Sequence, residues 1–314
     1  MSTCMSTRMR PARAALATIN TRALAELTAL ATLAELAACA DGPDQRLAIV
    51  DAPRVLAIVA EPAEARPGAA VTYRALVGSP EGTLAAAPRW SYCTAPKPPT
   101  EDNVVSASCA AGDALSPLGE APAVTAALPA DACTRFGPEV PPGDFRPRDP
   151  DPTGGFYQPV RADALALVAF GLSRITCKLA NTTADVAREY ELSYVANQNP
   201  TLELPGEAAL AVVPAHADVP LVAAWPAAAA ETYLYFDPLA QALVTRREAM
   251  RVSWFSTGGA LDVDASAVGE DDPATSVAAT WRTPGPGAAT LWFVLRDSRG
   301  GVATRAVSVL VLVE

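Results

Sequence analysis

Val252-Ser253-Trp254-Phe255, followed by Gly258-Gly259, is the stretch whose reading decides the fold. A short apolar segment carrying a tryptophan and ending at a glycine pair reads as a strand running into a tight turn. The pattern extends downstream. Ala279-Thr280-Trp281 leads into Thr283-Pro284-Gly285, Thr290 to Arg296 reads as a strand, Asp297 to Gly301 as a turn, and Val302 to Val313 as a final long strand. Upstream, Leu210 to Val213, Val219 to Trp225 and Thr232 to Phe236 read as strands, and Arg246 to Ala249 as a helical turn or polar connector.

The first part of the body shows the same punctuation. Val55 to Val59 is a short apolar run, and Glu61 to Gly68 a turn-rich connector. Val71, Tyr73 and Ala75 alternate with Thr72 and Arg74, the period of a half-buried strand, and Pro88 to Cys93 reads as a strand carrying Trp90. Residues 94–160 are rich in Pro, Gly, Ala and Asp and hold no sustained period, so they are expected as one long, stapled loop. Regular structure resumes at Ala164 to Lys178, and Tyr190, Leu192 and Tyr194 alternate as a closing strand before Asn197 to Pro200 break the chain.

The order around Trp254 resembles the C-terminal half of bacterial immunoglobulin-like and PKD-like domains, and the opening through Trp90 resembles their start. The resemblance implies an all-β chain of two consecutive immunoglobulin-like β-sandwich domains, 53–200 and 201–314. It also implies Trp254 between the sheets and positive φ at Gly300 and Gly301. It carries no active site with it.

Residues 1–22 carry Arg8, Arg10, Arg13 and Arg22 and no acid, and residues 23–38 are mostly Ala and Leu, ending in small residues before Cys39. That is the layout of a secretory signal. Leu36-Ala37-Ala38-Cys39 resembles the lipobox of bacterial lipoproteins, which implies a signal peptide over 1–38, Cys39 as the lipidated first residue, and a tether over 39–52. Ala40 in place of aspartate implies the outer membrane of a two-membrane cell. The chain is also similar to uncharacterised myxobacterial lipoproteins. The competing reading is a cytosolic helix with leucines at 24, 27, 30, 33 and 36, interrupted by Glu26 and Glu35.

With Cys4 removed and Cys39 lipidated, Cys93, Cys109, Cys133 and Cys177 remain, an even number that implies two disulfides in an exported body. Three connectivities are open. Cys109 with Cys133, closing the loop, and Cys93 with Cys177, joining its flanks, is the expected pairing.

The formal net charge is −10, with 24 Lys+Arg against 34 Asp+Glu, and no basic stripe offsets it, so nucleic acid is not an expected partner. The single histidine, His216, excludes sites needing two or three histidine ligands and leaves a Ser-His-Asp triad only one place to form. No nucleophile elbow or phosphate-cradling glycine loop occurs. Asp149, Asp151, Thr153 and Gly154 match the opening places of a calcium loop, but Val160 stands at its twelfth place and prolines interrupt it, so the pair is a weak metal candidate. Phe145, Phe156 and Tyr157 are expected to pin this loop to the sandwich, the alternative being an exposed binding tip. Asp262, Asp264, Glu270, Asp271 and Asp272 read as a solvated acidic loop.

No cofactor is expected. The chain reads as a lipid-anchored cell-envelope protein, a non-enzymatic binding or structural module with a possible protein or glycan partner. The alternative is a carboxylate-based envelope glycan hydrolase, which needs two acids converging in a concave pocket.

Overall fold

The computed structural model describes residues 47–98, 101, 104–139 and 150–313. Residues 1–38, Cys39, most of the expected tether and Asp149 lie outside the described residues. Leu47–Glu314 forms one compact unit.

The first half runs β1 (Arg54–Glu61), β2 (Glu64–Ala65), β3 (Ala70–Ser79), β4 (Gly82–Leu84), β5 (Arg89–Cys93), α1 (Ala107–Ala111), β6 (Leu115–Glu120), β7 (Ala123–Ala127), α2 (Ala132–Phe136), β8 (Phe156–Ala164), β9 (Leu167–Ile175) and α3 (Ala184–Ser193). One sheet holds β1, β3 and β4, with β7 also paired to β3; the other has the order β2-β9-β8-β5-β6. Alternation explains the layering. Val71 and Tyr73 are buried while Ala70 and Arg74 face water, and their inward side chains meet Trp90, Tyr92, Val160 and Ala162 of the facing sheet in one core. Tyr73 packs edge-on to Tyr92 at 5.9 Å.

The stretch 94–160 is not a single loop. It contributes α1, β6, β7, α2 and most of β8. β6 joins one sheet and β7 the other, so this segment closes the side of the sandwich. Its strands lack a readable period because β6 is an edge strand containing Pro117 and Gly119, with a register shift between Trp90 and Ser91 of its partner. The expected strand around Tyr190, Leu192 and Tyr194 is instead α3. Thr183 caps it, its side chain accepting from the Val186 N–H, and Asp185 lies in its first turn. Tyr190 and Tyr194, one helical turn apart, stack with ring centroids 4.6 Å apart.

The second half runs β10 (Val212–Pro214), β11 (Asp218–Ala224), β12 (Thr232–Asp237), β13 (Ala242–Arg247), β14 (Met250–Ser256), β15 (Ala260–Leu261), β16 (Ala265–Val268), β17 (Ser276–Arg282), β18 (Gly287–Asp297) and β19 (Val302–Leu312). Arg246 and Arg247 belong to a strand and not to a helical turn. One sheet has the order β10-β19-β18-β14-β16, the other β11-β17-β15, and β12 pairs with β13 as a separate hairpin. Trp254 and Trp281, from opposite sheets, are fully buried in the core between them, and Trp254 meets Phe293 edge-on at 5.6 Å. This is an all-β sandwich fold in both halves. At the β18–β19 turn only Gly300 takes positive φ, at 102°. Gly301 is required for space: a Cβ there would lie 2.1 Å from Asp297 Oδ2.

β18 is buried on both faces from Leu291 to Leu295. Its odd positions fill the second sandwich, whereas Trp292 and Val294 pack with Val50, Leu56, Ala57 and Val302 in a seam between the halves. Residues 48–50, assigned by sequence to the tether, take part in it: Val50 N–H donates to Ser256 O and Ser256 N–H to Ala48 O. Trp292 Nε1 donates to Thr83 Oγ1 at 2.8 Å, and Gly78 makes room, since a Cβ there would come within 3.3 Å of the Trp292 ring.

Candidate functional site

The apolar seam continues into a buried polar junction, where three stretches distant in sequence meet. From the first half come Glu64 of β2 and Arg174 of β9, which pair across a parallel bridge and form an ion pair at 3.3 Å with both side chains 2% exposed. From the second half comes Arg299 in the β18–β19 turn, 0% exposed. Its Nε donates to Glu248 Oε1 at 2.6 Å, its Nη2 to Glu231 Oε2 at 2.6 Å and its Nη1 to the Val195 carbonyl at 3.1 Å. Its guanidinium sits 4.7 Å over the Tyr233 ring, and Glu64 Oε2 lies 4.0 Å from its Nη1.

The interhalf segment 194–199 is threaded through this network. Tyr194 Oη donates to Glu64 Oε2 at 2.8 Å, and the Asn197 N–H donates to the same oxygen at 2.9 Å. Asn199 Nδ2 donates to the Ala60 carbonyl, and its Oδ1 accepts from the Val302 N–H, so one side chain bridges both halves. Buried ions on this scale need full compensation. The arginines are held charged: burial opposes the charge on Arg174, but the tyrosine oxygens beside it and the carboxylates of Glu64 and Asp151 raise its pKa. Burial pushes Glu248 up to about 7, helped by the nearby Asp297 charge and opposed by Arg299.

Beside the junction lies the turn 151–157. Asp151 Oδ1 accepts from the Thr153 N–H, Thr153 Oγ1 and the Gly155 N–H, and its Oδ2 accepts from Tyr157 Oη. The carboxylate is consumed in capping its own turn, so Asp151, a metal candidate by sequence, is a loop-fixing residue. Phe156 is buried and Tyr157 lies under the Arg174 guanidinium, the pinning role expected of them, while Phe145 lies outside the described residues. Among the described residues no group of three or more His, Cys, Asp or Glu could hold a metal ion.

The four body cysteines form two disulfides, but not in the expected pairing. Cys93 joins Cys109 and Cys133 joins Cys177. The reason is topological: α1 folds back beside the end of β5, and α2 packs beside the exit of β9, so each helix is tied to the nearest strand end. Both bridges lie around one small apolar core with Val105, Phe136 and Ile175.

His216 is exposed in a turn with φ 57°. In the acidic loop, Glu270 is paired with Arg246, Asp262 accepts from the Thr280 N–H and Asp272 from the Ala274 N–H. These residues do not converge on the junction, except that Glu270 and Arg246 stand near Tyr233.

Clefts open around the junction. One of about 430 Å³ is lined by Arg66, the Cys133–Cys177 bridge, Glu139, Lys178, Tyr190 and Glu191. Another, of about 200 Å³, is walled by Phe136, Phe156, Pro159 and Leu172 with Lys97 and Asp151 at its edge. A shallower groove of about 500 Å³ lies at the far end, by Arg89, Glu120, Asp163 and the Leu165-Ala166 turn. Glu139 and Glu191 line the first of these clefts, and Glu120 and Asp163 the third. Glu139, Glu191 and Glu120 are exposed, and both oxygens of Asp163 accept from Arg161.

No family model matches the chain, and no curated protein matches it. Among solved structures it is similar to the D0-D1 domain of Intimin at 12% identity, covering 82% of this chain and 98% of that one, with a TM-score of 0.21. It is also similar to the fibronectin(III)-like modules of Clostridium thermocellum CbhA, at 12% identity over 83% and 94% of the two chains and a TM-score of 0.23. Yersinia pseudotuberculosis adhesin InvE follows at 9% identity, 81% and 58% coverage and a TM-score of 0.23. At such scores the sandwich assignment rests on the sheets and cores described above.

The junction was invisible to sequence reasoning. Glu64, Arg174 and Arg299 each look like ordinary surface charges in their local context, and only the pairing of β2 with β9 and the seam on β18 bring them together.

Proposed function

We propose that the chain is an exported, lipid-anchored cell-envelope protein, outer-membrane in a two-membrane host, whose two sandwiches act as a non-enzymatic binding or structural module. The observation that carries export is the pairing of all four cysteines of the body into two disulfides, a state that persists in oxidising compartments. The lipobox-like Leu36 to Cys39 supports the anchor. The junction supports the module: a seam that is apolar at Trp292 and ionic at Arg299 makes the two sandwiches one stiff body, suited to presenting a surface to a protein or glycan partner. The clefts described above favour this reading over a glycan hydrolase: a general acid needs a desolvated carboxyl, and their paired carboxylates are exposed or held by Arg161, while Asp151 is taken up in capping its own turn.

Metabolic labelling with a clickable palmitate tests the anchor on wild type and Cys39→Ala. Label on the wild type alone, in the membrane fraction, is the expected result. Equal labelling of both, or none on the wild type, refutes it.

A further inference from the structure

The junction holds more negative charge than its arginines can balance. Arg174 and Arg299 face Glu64, Glu231, Glu248, Asp297 and Asp151. The remaining groups packed around Glu248 and Asp297 do not close the gap. Burial raises the hydroxyls of Tyr157, Tyr190, Tyr194 and Tyr233, which stay neutral hydrogen-bonding groups, and Arg246 is paired with Glu270.

The hydrogen bonds show where a neutralising proton fits. Both oxygens of Glu248 already accept, Oε1 from Arg299 Nε and Oε2 from the Glu231 N–H. Asp297 is lopsided. Its Oδ1 accepts from the Arg299 N–H at 2.9 Å, the Gly301 N–H at 2.9 Å and Asn197 Nδ2 at 3.1 Å. Its Oδ2, in a side chain 6% exposed, has no hydrogen-bond partner among the described residues, and neither has Oδ1 of Asn197, which is 0% exposed. Two buried orphan oxygens on side chains already joined by one hydrogen bond are an unfavourable arrangement as two acceptors. A hydrogen on Asp297 Oδ2 removes its own deficit and, directed at Asn197 Oδ1, would remove the other.

We propose that Asp297 and Glu248 hold one proton between them, carried on Asp297 Oδ2 and donated to Asn197 Oδ1, and that its loss as pH rises loosens the seam between the sandwiches. The Asp297–Asn197 contact then becomes a carboxylic acid–amide pair with two hydrogen bonds, and it clamps the interhalf segment onto the β18–β19 turn. When the proton leaves to solvent, a second carboxylate charge appears beside Glu248, whose ion-pair partner among the described residues, Arg299, is already shared with Glu231. Burial raises Asp297 as it raises Glu248, the backbone N–H donors and Arg299 pulling against it. An acid whose folded pKa is raised stabilises the fold by keeping its proton. That contribution is complete below the ordinary carboxylate range and is lost as pH rises through the raised pKa of the folded state.

The test compares wild type, Asp297→Asn and Glu248→Gln by thermal unfolding between pH 5 and 8.5. Asparagine at 297 reproduces the protonated acid, its amide donating to Asn197 Oδ1. The wild type is expected to lose roughly 5 °C of melting temperature over this range, whereas Asp297→Asn loses little and equals or exceeds wild type at pH 8. Glu248→Gln puts an amide where two donors already point, and is expected to melt lower at every pH. Calorimetry in buffers of different ionisation enthalpy reads the proton directly, with about one released on wild-type unfolding at pH 6. This readout stands if a variant fails to fold. The proposal is overturned if no proton is released, if Asp297→Asn keeps the wild-type slope or destabilises at pH 8, or if stability follows sodium or potassium instead of pH.

Discussion

Removing the Arg299 guanidinium should cost the protein more than any surface substitution could. In Arg299→Ala, Glu248, 1% exposed, loses its one ion-pair partner among the described residues, Glu231 Oε2 keeps only the Gln198 N–H, and the Val195 carbonyl loses the Arg299 Nη1 donor. Stranding a buried charge costs about 3–5 kcal/mol. For a body of this size each kcal/mol moves the melting temperature by about 2–4 °C, so a fall of about 6–20 °C is expected. The loss should be smaller at pH 5 than at pH 8, because at low pH the abandoned Glu248 takes up a proton, its pKa already being pushed up to about 7 by burial. Urea unfolding followed by tryptophan fluorescence and circular dichroism reads the free energy at 25 °C. A loss below about 1 kcal/mol at pH 8, the range of an exposed pair, would show that the junction is solvated and that the reasoning fails.

Further outcomes follow from neighbouring contacts. Trp292→Ala empties the seam of a fully buried ring and removes the donor to Thr83; about 3–5 kcal/mol should be lost in the same urea assay. Limited reduction with alkylation and peptide mapping should open Cys133–Cys177 before Cys93–Cys109, because Cys177 is half-buried on the wall of a cleft whereas Cys93 and Cys109 are buried; the reverse order refutes this. Gly301→Ala forces a Cβ against Asp297 Oδ2 and should destabilise the β18–β19 turn, seen as a lowered melting temperature, whereas Gly285→Ala, with nothing within 4 Å of an added Cβ, should not.

Legibility followed burial pattern. The strands at Val71 to Ala75, Val252 to Phe255, Thr290 to Arg296 and Val302 to Val313 could be read because one face, or both, is apolar for structural reasons. β6 and β7 could not, since Pro117 and Gly119 interrupt the first and the second is built of Ala, Val and Thr with no large inward side chain. α3 was misread because Tyr190, Leu192 and Tyr194 mimic period two. In the helix Leu192 is 81% exposed, and the two tyrosines pair at helical spacing. The four cysteines announced two bridges, yet their pairing depended on α1 and α2, which carry no period long enough to detect. Nothing local marked the junction, whose partners lie as far apart as Glu64 and Arg299.

The account turns on the two sandwiches being fused into one body, and calorimetry of the full chain tests that most directly. A single unfolding transition for the folded body, with calorimetric and van't Hoff enthalpies in agreement, is the predicted result at pH 6. Two resolved transitions, one reporting Trp90 and the other Trp254, would contradict it.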